Sequence, residues 1–161
     1  MNKQYFSSDF NPANACKVAE GLNVYLANLN ILYSKLHNFH WNVVGAGFFG
    51  LHAKTQELYE KMATELDIVA ERIKALEYMP LASMHEYLQA ATISDISSKP
   101  FTTEEVTQMI INDFSCIVRL LRKIEAFAKK ASDECTIGLI TEAICYFEKQ
   151  IWLMNASLEP C

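Results

Sequence analysis

The chain has 161 residues, of which 51% are hydrophobic and 20% charged. Its five glycines and four prolines are few, which favours long helices over a turn-rich β fold. By its length, we expect residues 1–161 to form one domain. No run of about 18 uncharged apolar residues is present, which argues against a membrane span, and the first residues lack the apolar core of a signal peptide. The five cysteines are scattered without a CxxC motif, so we expect free thiols in a cytoplasmic protein.

The first predicted helix, helix A, starts after Asn11 and Pro12, because proline is tolerated in a first turn. Its apolar residues recur in steps of three and four, as in the seam of a helix bundle: Val18, Leu22, Tyr25, Leu29, Leu32, Leu36 and Phe39. Helix B repeats the pattern and ends before Pro80, with Leu51, Leu58, Met62, Leu66, Val69, Ile73 and Leu76. The glycine-containing connector at 42–47 lets the two helices fold back as a hairpin.

The periodicity lapses at residues 81–100, where we expect a long crossover with a short helix at 83–89. Helix C opens with a capping box, because Thr102 precedes Glu105 by three residues, and it continues to about Lys130. Helix D carries another series of threes and fours, at Ile137, Ile140, Ile144, Phe147, Ile151, Met154 and Leu158. This pattern predicts an all-α, ferritin-like four-helix bundle with a short extra helix in the long B–C crossover.

Four side chains near the first hairpin form a candidate metal site. His40 ends helix A and His52 begins helix B, so the hairpin lets their imidazoles approach one another. Asp67 and Glu71 project from one face of helix B, as a carboxylate pair for a cation does. His52 and Asp67, however, are about 22 Å apart along one uninterrupted helix. If all four bind one centre, the histidines come from one subunit and the carboxylates from another across a two-fold axis.

Each of these residues also has an ordinary interpretation. A histidine at a helix end is commonly a hydrogen-bonded boundary residue, and Asp67 and Glu71 alone fit solvated surface acids. His37, three residues before His40, is a candidate accessory ligand, whereas His85 lies outside the cluster and is predicted to be a surface residue. The sequence contains no Glu-x-x-His motif of the kind that builds a di-iron site inside a bundle.

Two segments resemble the signature segments of the Dps proteins, the mini-ferritins named as DNA-binding proteins from starved cells. They are HWNVVGAGFFGLH at residues 40–52 and LDIVAERIKALEYMP at residues 66–80. The later QIWLMNASL, at residues 150–158, is similar to the last helix of that family. The resemblance therefore covers nearly the whole chain.

This resemblance implies that His40, His52, Asp67 and Glu71 are the metal ligands and catalytic residues of a ferroxidase centre shared across a dimer interface. Two neutral imidazoles and two carboxylates balance a divalent ion, and mixed nitrogen and oxygen ligands suit iron, with zinc as a competitor. In the family, Fe(II) is oxidised there, preferably by hydrogen peroxide, and ferric mineral collects inside a hollow shell of twelve subunits. The predicted function is iron storage and detoxification by a homo-oligomer, although residue spacing alone argues only for a dimer.

Two neighbours of these ligands are predicted to border the bound iron. The family usually has an acidic residue four positions after the second histidine, where this chain has Gln56, and a neutral amide is a poorer ligand for a hard cation than a carboxylate. Glu57 points about 100° away from that face. Trp41 packs either over the metal, as an electron donor, or in the core, and Trp152 is predicted in the core or near the site.

Two other functions remain open. Some relatives bind DNA through lysine-rich tails that neutralise phosphates, but the first twelve residues contain only Lys3, offset by Asp9, which disfavours DNA binding. A catalytically inactive bundle has its only support in Gln56. The net charge of −5 suits attraction of cations through pores. Asp133 and Glu134 resemble an acidic pore region of the family, but the helix dipole explains them equally well.

Overall fold

The computed structural model describes residues 12–159, so Lys3, Asp9 and Asn11 lie outside the described residues. Helices and strands follow one another as α1 Pro12–Asn42, β1 Val43–Val44, α2 Phe48–Ala75, α3 Met84–Ala90, β2 Phe101–Thr102, α4 Thr103–Ala131 and α5 Glu134–Ala156. The four long helices form a bundle, and α3 lies in the connection between α2 and α4. The predicted bundle with a short extra helix in its crossover is confirmed.

The apolar series of the first helix lies at the centre of the core. All seven of its residues are fully buried: Val18, Leu22, Tyr25, Leu29, Leu32, Leu36 and Phe39. α1 packs against α2, α3 and α4, and α4 in turn packs against α5. The series predicted for the second and fourth long helices also face the core, with partial burial at Leu51, Leu66, Ile137, Ile151 and Leu158.

The connector between α1 and α2 is held by a short parallel ladder that the sequence analysis did not predict. Val43 pairs with Phe101, and Val44 pairs with Thr102, directly before α4. The chain then turns through Gly45 and Gly47, whose φ angles of 94° and 80° lie in the left-handed region that favours glycine. The ladder ties the hairpin to the start of α4, and thereby fixes how α2 leaves the end of α1.

Buried polar side chains of α1 hold the crossover against the bundle. The fully buried Asn28 accepts hydrogen bonds from the backbone N–H groups of Thr92 and Ile93, at 2.7 and 3.2 Å, and donates one to the Thr92 hydroxyl at 2.9 Å. Lys35 donates to the Ser94 carbonyl at 3.1 Å. These contacts explain why a stretch without helical periodicity still follows a defined path along α1.

The helix ends follow the capping signals of the sequence. Thr102 and Glu105 form the predicted capping box of α4. α5 begins after Asp133, whose carboxylate accepts from the Thr136 N–H at 3.0 Å and pairs with the Arg72 guanidinium at 2.6 Å. Asp133 is buried, and its carboxylate caps α5 and joins it to α2, which agrees with the helix-terminus alternative.

Trp152 does not occupy the core position predicted for it. Its side chain is 64% exposed, whereas Phe147 and Met154 of the same helix are buried. Five residues after Phe147, Trp152 lies about 140° around the helix from the buried face. The apolar residues of α5 at steps of three and four predicted this buried face, and Trp152 is not one of them.

Candidate metal centre

The hairpin brings the two predicted histidines into direct contact. The rings of His40, near the end of α1, and His52, in the second turn of α2, stack with their centroids 3.7 Å apart and their planes inclined by 20°. The predicted approach of the two imidazoles is therefore confirmed. His40 is buried and His52 is half-buried.

Reciprocal hydrogen bonds fix the chemical form of this histidine pair. The Nδ1 of His40 lies 2.8 Å from the carbonyl oxygen of His52, and the Nδ1 of His52 lies 2.8 Å from the carbonyl oxygen of His40. Because a carbonyl oxygen only accepts hydrogen bonds, each Nδ1 carries the proton and donates. In each neutral ring the lone pair is then on Nε2, which is the tautomer that binds a metal.

The two predicted carboxylates lie on the exposed face of α2, away from the histidines. α2 runs without interruption from Phe48 to Ala75, so the predicted separation of His52 and Asp67, about 22 Å, applies. Within residues 12–159, no group of three or more His, Cys, Asp or Glu side chains lies close enough to hold a metal ion. One chain thus brings the histidines together but does not bring the carboxylates to them.

Asp67 and Glu71 differ from the other acidic residues of α2, a helix that lies entirely within the described residues 12–159. Glu57 pairs with Lys54 at 2.7 Å, and Glu65 pairs with Lys61 at 3.0 Å. Glu60 accepts a hydrogen bond from the amide of Gln56 at 2.9 Å. Neither Asp67 nor Glu71 has a hydrogen bond or ion pair to any described residue. The two predicted ligands are thus the two acidic side chains of this helix that have neither a hydrogen bond nor an ion pair among the described residues.

The two residues predicted to border the metal are both exposed. Trp41 is 70% exposed, which contradicts its packing in the core, and its ring lies 5.2 Å from that of His37. At this end of α1 the buried face is formed by Phe39 and His40. Trp41, the next residue, therefore points away from the core. Gln56 is exposed, and its amide group is engaged by Glu60 rather than by the histidines.

An aromatic group beside the histidine pair was missed by the sequence analysis. The ring of Tyr59 lies 5.4 Å from that of His40 and stacks on His37 at 3.9 Å. The Nδ1 of His37 lies 2.8 Å from the Tyr33 carbonyl oxygen. Because a carbonyl oxygen only accepts, this Nδ1 is also the donor. Tyr59 comes two turns after His52, and that spacing was the signal that it shares the histidines' face. His85 is exposed, as predicted, next to Gln89.

Comparisons with known proteins agree with this architecture. The model of the ferritin-like domain family matches residues 19–161. "DNA protection during starvation protein 2" of Bacillus anthracis is 38% identical over 142 residues, which cover 88% of this chain and 97% of that protein.

Solved structures give the same result. A Dps protein from Vibrio cholerae O1, described as a member of a broad superfamily of ferritin-like diiron-carboxylate proteins, is 32% identical with a TM-score of 0.89, covering 99% of this chain and 100% of its own. Dps from Listeria innocua, in crystals soaked with zinc, is 28% identical with a TM-score of 0.84, covering 88% and 95%. No helix within residues 12–159 has the length and apolar character needed to cross a membrane.

Proposed function

Because the chain belongs to the ferritin-like domain family, and within it to the Dps proteins, we propose that it stores iron and detoxifies it by oxidising Fe(II) at a centre built across two subunits. His40 and His52 of one subunit face Asp67 and Glu71 of the other. A relative described as belonging to the ferritin-like diiron-carboxylate proteins supports iron as the substrate. Catalytic inactivity is the alternative that the experiment below excludes or establishes.

One observation carries this proposal: each chain presents two complementary half-sites. The His40–His52 pair offers two Nε2 lone pairs whose tautomers are fixed by hydrogen bonds. About 22 Å along α2, Asp67 and Glu71 offer two carboxylates without a partner in the described residues. An antiparallel, two-fold arrangement of two α2 helices places each half-site opposite the other and completes two centres at once.

The ligand set suits Fe(II) as a substrate. Two carboxylates neutralise a divalent ion, and neutral imidazoles add nitrogen ligands that hold iron without further charge. We propose hydrogen peroxide as the oxidant: two Fe(II) ions each lose one electron, the O–O bond breaks, and two protons are taken up to give two waters. Zinc(II) accepts the same nitrogen and oxygen ligands and competes for the centre, in line with the zinc-soaked relative.

The same proposal includes the assembly and its surroundings. We propose a dimer-based homo-oligomer, with the twelve-subunit shell that the family resemblance implies, and a cytoplasmic location in which Cys16, Cys116, Cys135 and Cys145 stay free thiols. The net charge of −5 disfavours DNA as a direct partner, because binding to phosphates needs cationic side chains. A gel-shift assay across salt concentrations tests this: a salt-sensitive DNA complex at neutral pH contradicts it.

Subunit mixing tests the shared centre. Protein loaded anaerobically with Fe(II) receives a stoichiometric pulse of hydrogen peroxide, and ferric absorbance is followed in the wild type, in His40→Ala and in Asp67→Ala. We expect rapid oxidation in the wild type and loss in each variant. When the two variants are refolded together, half of the dimers are mixed and one of their two centres is intact, so about a quarter of the wild-type amplitude returns.

Two matched substitutions serve as controls. His85→Ala and Asp95→Ala replace the same residue types on the crossover, outside the proposed centre, and keep the wild-type rate. A wild type no faster than buffer contradicts the proposed function and leaves an inactive bundle. Variants that are inactive alone and show no recovery after mixing contradict a centre shared by two chains.

A further inference from the structure

We propose that each centre holds one divalent metal ion tightly and a second one at least tenfold more weakly, and that Gln56 sets this difference. The inference rests on the proposed function, because it concerns the same two-subunit centre. It assigns to Gln56 a specificity-determining role in metal stoichiometry, which is separate from the question of whether the centre oxidises iron.

The arrangement of the histidine rings separates the two metal positions. A metal bound to imidazole lies close to the ring plane, about 2 Å from the nitrogen. The planes of His40 and His52 are inclined by only 20° with centroids 3.7 Å apart, so they meet far beyond that distance. Both rings are also held by their Nδ1 hydrogen bonds. The two Nε2 lone pairs therefore point at neighbouring positions rather than at one ion.

Negative charge is sufficient for only one of these positions. Asp67 and Glu71 together balance one divalent ion. A second divalent ion about 4 Å away is repelled by the first unless further carboxylates screen it. The residue placed to supply such a carboxylate is Gln56, one turn after His52 on the same face of α2. Its side chain is neutral, and it donates to Glu60 at 2.9 Å.

No other acid of α2 replaces the missing charge. Glu57 lies about 100° around the helix from Gln56 and pairs with Lys54 at 2.7 Å. Glu60 lies two turns beyond His52, about 12 Å along the helix axis. The position beside His52 thus has an imidazole and an amide oxygen as its ligands from this helix, a weak combination for a hard divalent ion.

The difference in affinity between the two metal positions determines the order in which iron binds. Reduction of one peroxide takes two electrons, and one tightly held Fe(II) supplies only one of them. The second Fe(II) has to arrive from solution at the weak position. We therefore expect the oxidation rate to keep rising with free Fe(II) after the first equivalent per subunit has bound.

Metal titration without any oxidant tests the inference. Apo protein is titrated with Co(II) under anaerobic conditions and followed by visible absorption, and with Zn(II) by calorimetry. The wild type is expected to bind one tight ion per subunit. Gln56→Asp supplies the carboxylate and is expected to bind two, with the affinity for the second raised about tenfold or more. Gln56→Asn is the matched neutral control, equal in size to Asp, and keeps one tight ion.

The outcomes separate this inference from the proposed function. Two tight ions in the wild type, or a single tight ion in Gln56→Asp that assembles normally, overturn the inference while leaving the shared centre in place. A tight ion that survives both His40→Ala and Asp67→Ala lies elsewhere and overturns the proposed centre and the inference together. Because Gln56 is exposed, its variants are expected to fold, and circular dichroism with size-exclusion chromatography verifies this.

Discussion

Gly21 of α1 lies so close to Ile124 of α4 that a methyl group added at Gly21 would be 2.7 Å from the Ile124 Cγ1 atom. Ile124 is buried, so it has little room to move. The close approach of α1 and α4 therefore depends on the absence of a side chain at Gly21, although glycine lowers intrinsic helix stability.

The first prediction follows from this contact. Gly21→Ala gains helix propensity of about 1 kcal/mol but overpacks the core at a cost of about 1–3 kcal/mol. We expect the overpacking to dominate and the free energy of unfolding, measured by urea denaturation, to fall. Gly138→Ala in α5 is the matched control, because no described residue beyond its chain neighbours and the nearby backbone of its own helix lies within 4 Å of the added methyl, and it is expected to stabilise the protein. A Gly21→Ala variant as stable as Gly138→Ala would show that α4 moves aside freely.

The second prediction concerns pH and the ion pair between Lys35 and Asp113, which are 2.8 Å apart and nearly buried. Burial raises the pKa of the Asp113 carboxyl, and Lys35 lowers it only in part. Since the folded-state pKa lies above the unfolded value, Asp113 binds its proton more tightly in the folded state. Its charge therefore costs stability at neutral pH, and this cost disappears as the pH falls through the folded-state pKa.

Lys35→Met removes the partner that lowers this pKa. We expect a loss of about 3 kcal/mol in the free energy of unfolding at pH 7, and a smaller loss as the pH is lowered and more of Asp113 is protonated. Urea denaturation at several pH values measures both. Lys99→Met, which breaks the exposed pair with Glu105, is the control and is expected to leave stability nearly unchanged, because exposed ion pairs contribute little. An equal loss at every pH for Lys35→Met would contradict the role given to Asp113.

The third prediction concerns the attachment of the crossover to α1. Asn28→Ala leaves the backbone N–H groups of Thr92 and Ile93 without their acceptor, so we expect a loss of about 2–3 kcal/mol and faster hydrogen exchange at these two amides. Asn155→Ala is the control, because within residues 12–159 the side-chain amide of this exposed residue donates to the Ile151 carbonyl of its own helix and to no other element. Unchanged exchange at Thr92 and Ile93 would mean that other contacts hold the crossover.

The sequence predicted the features that depend on periodicity and on local chemical signals. The three-four series identified the buried faces, and the glycines of the connector predicted the hairpin that brings His40 and His52 together. The capping box at Thr102 marked the start of α4. Each of these signals acts within a few residues, where helix geometry leaves few alternatives.

Features that depend on atomic register between distant elements were not predictable in this way. The ladder between Val43 and Phe101 has two residues on each side, too few for a pattern of period two. The Nδ1 hydrogen bonds of the histidine pair depend on the depth at which α2 packs against α1. The burial of Asp133 likewise depends on Arg72 of a different helix, so its charge alone left a pore region and a helix terminus as equal alternatives.

The Val43–Phe101 pairing also bears on the order in which the chain folds. Contact between His40 and His52 closes only a short loop, which costs little entropy and forms early in folding. Pairing of Val43 with Phe101, by contrast, closes a much longer loop that contains α2 and the whole crossover. We therefore expect the ladder to form later. The histidine pair is therefore able to assemble in a nascent hairpin, and the arrival of α4 then locks it in place.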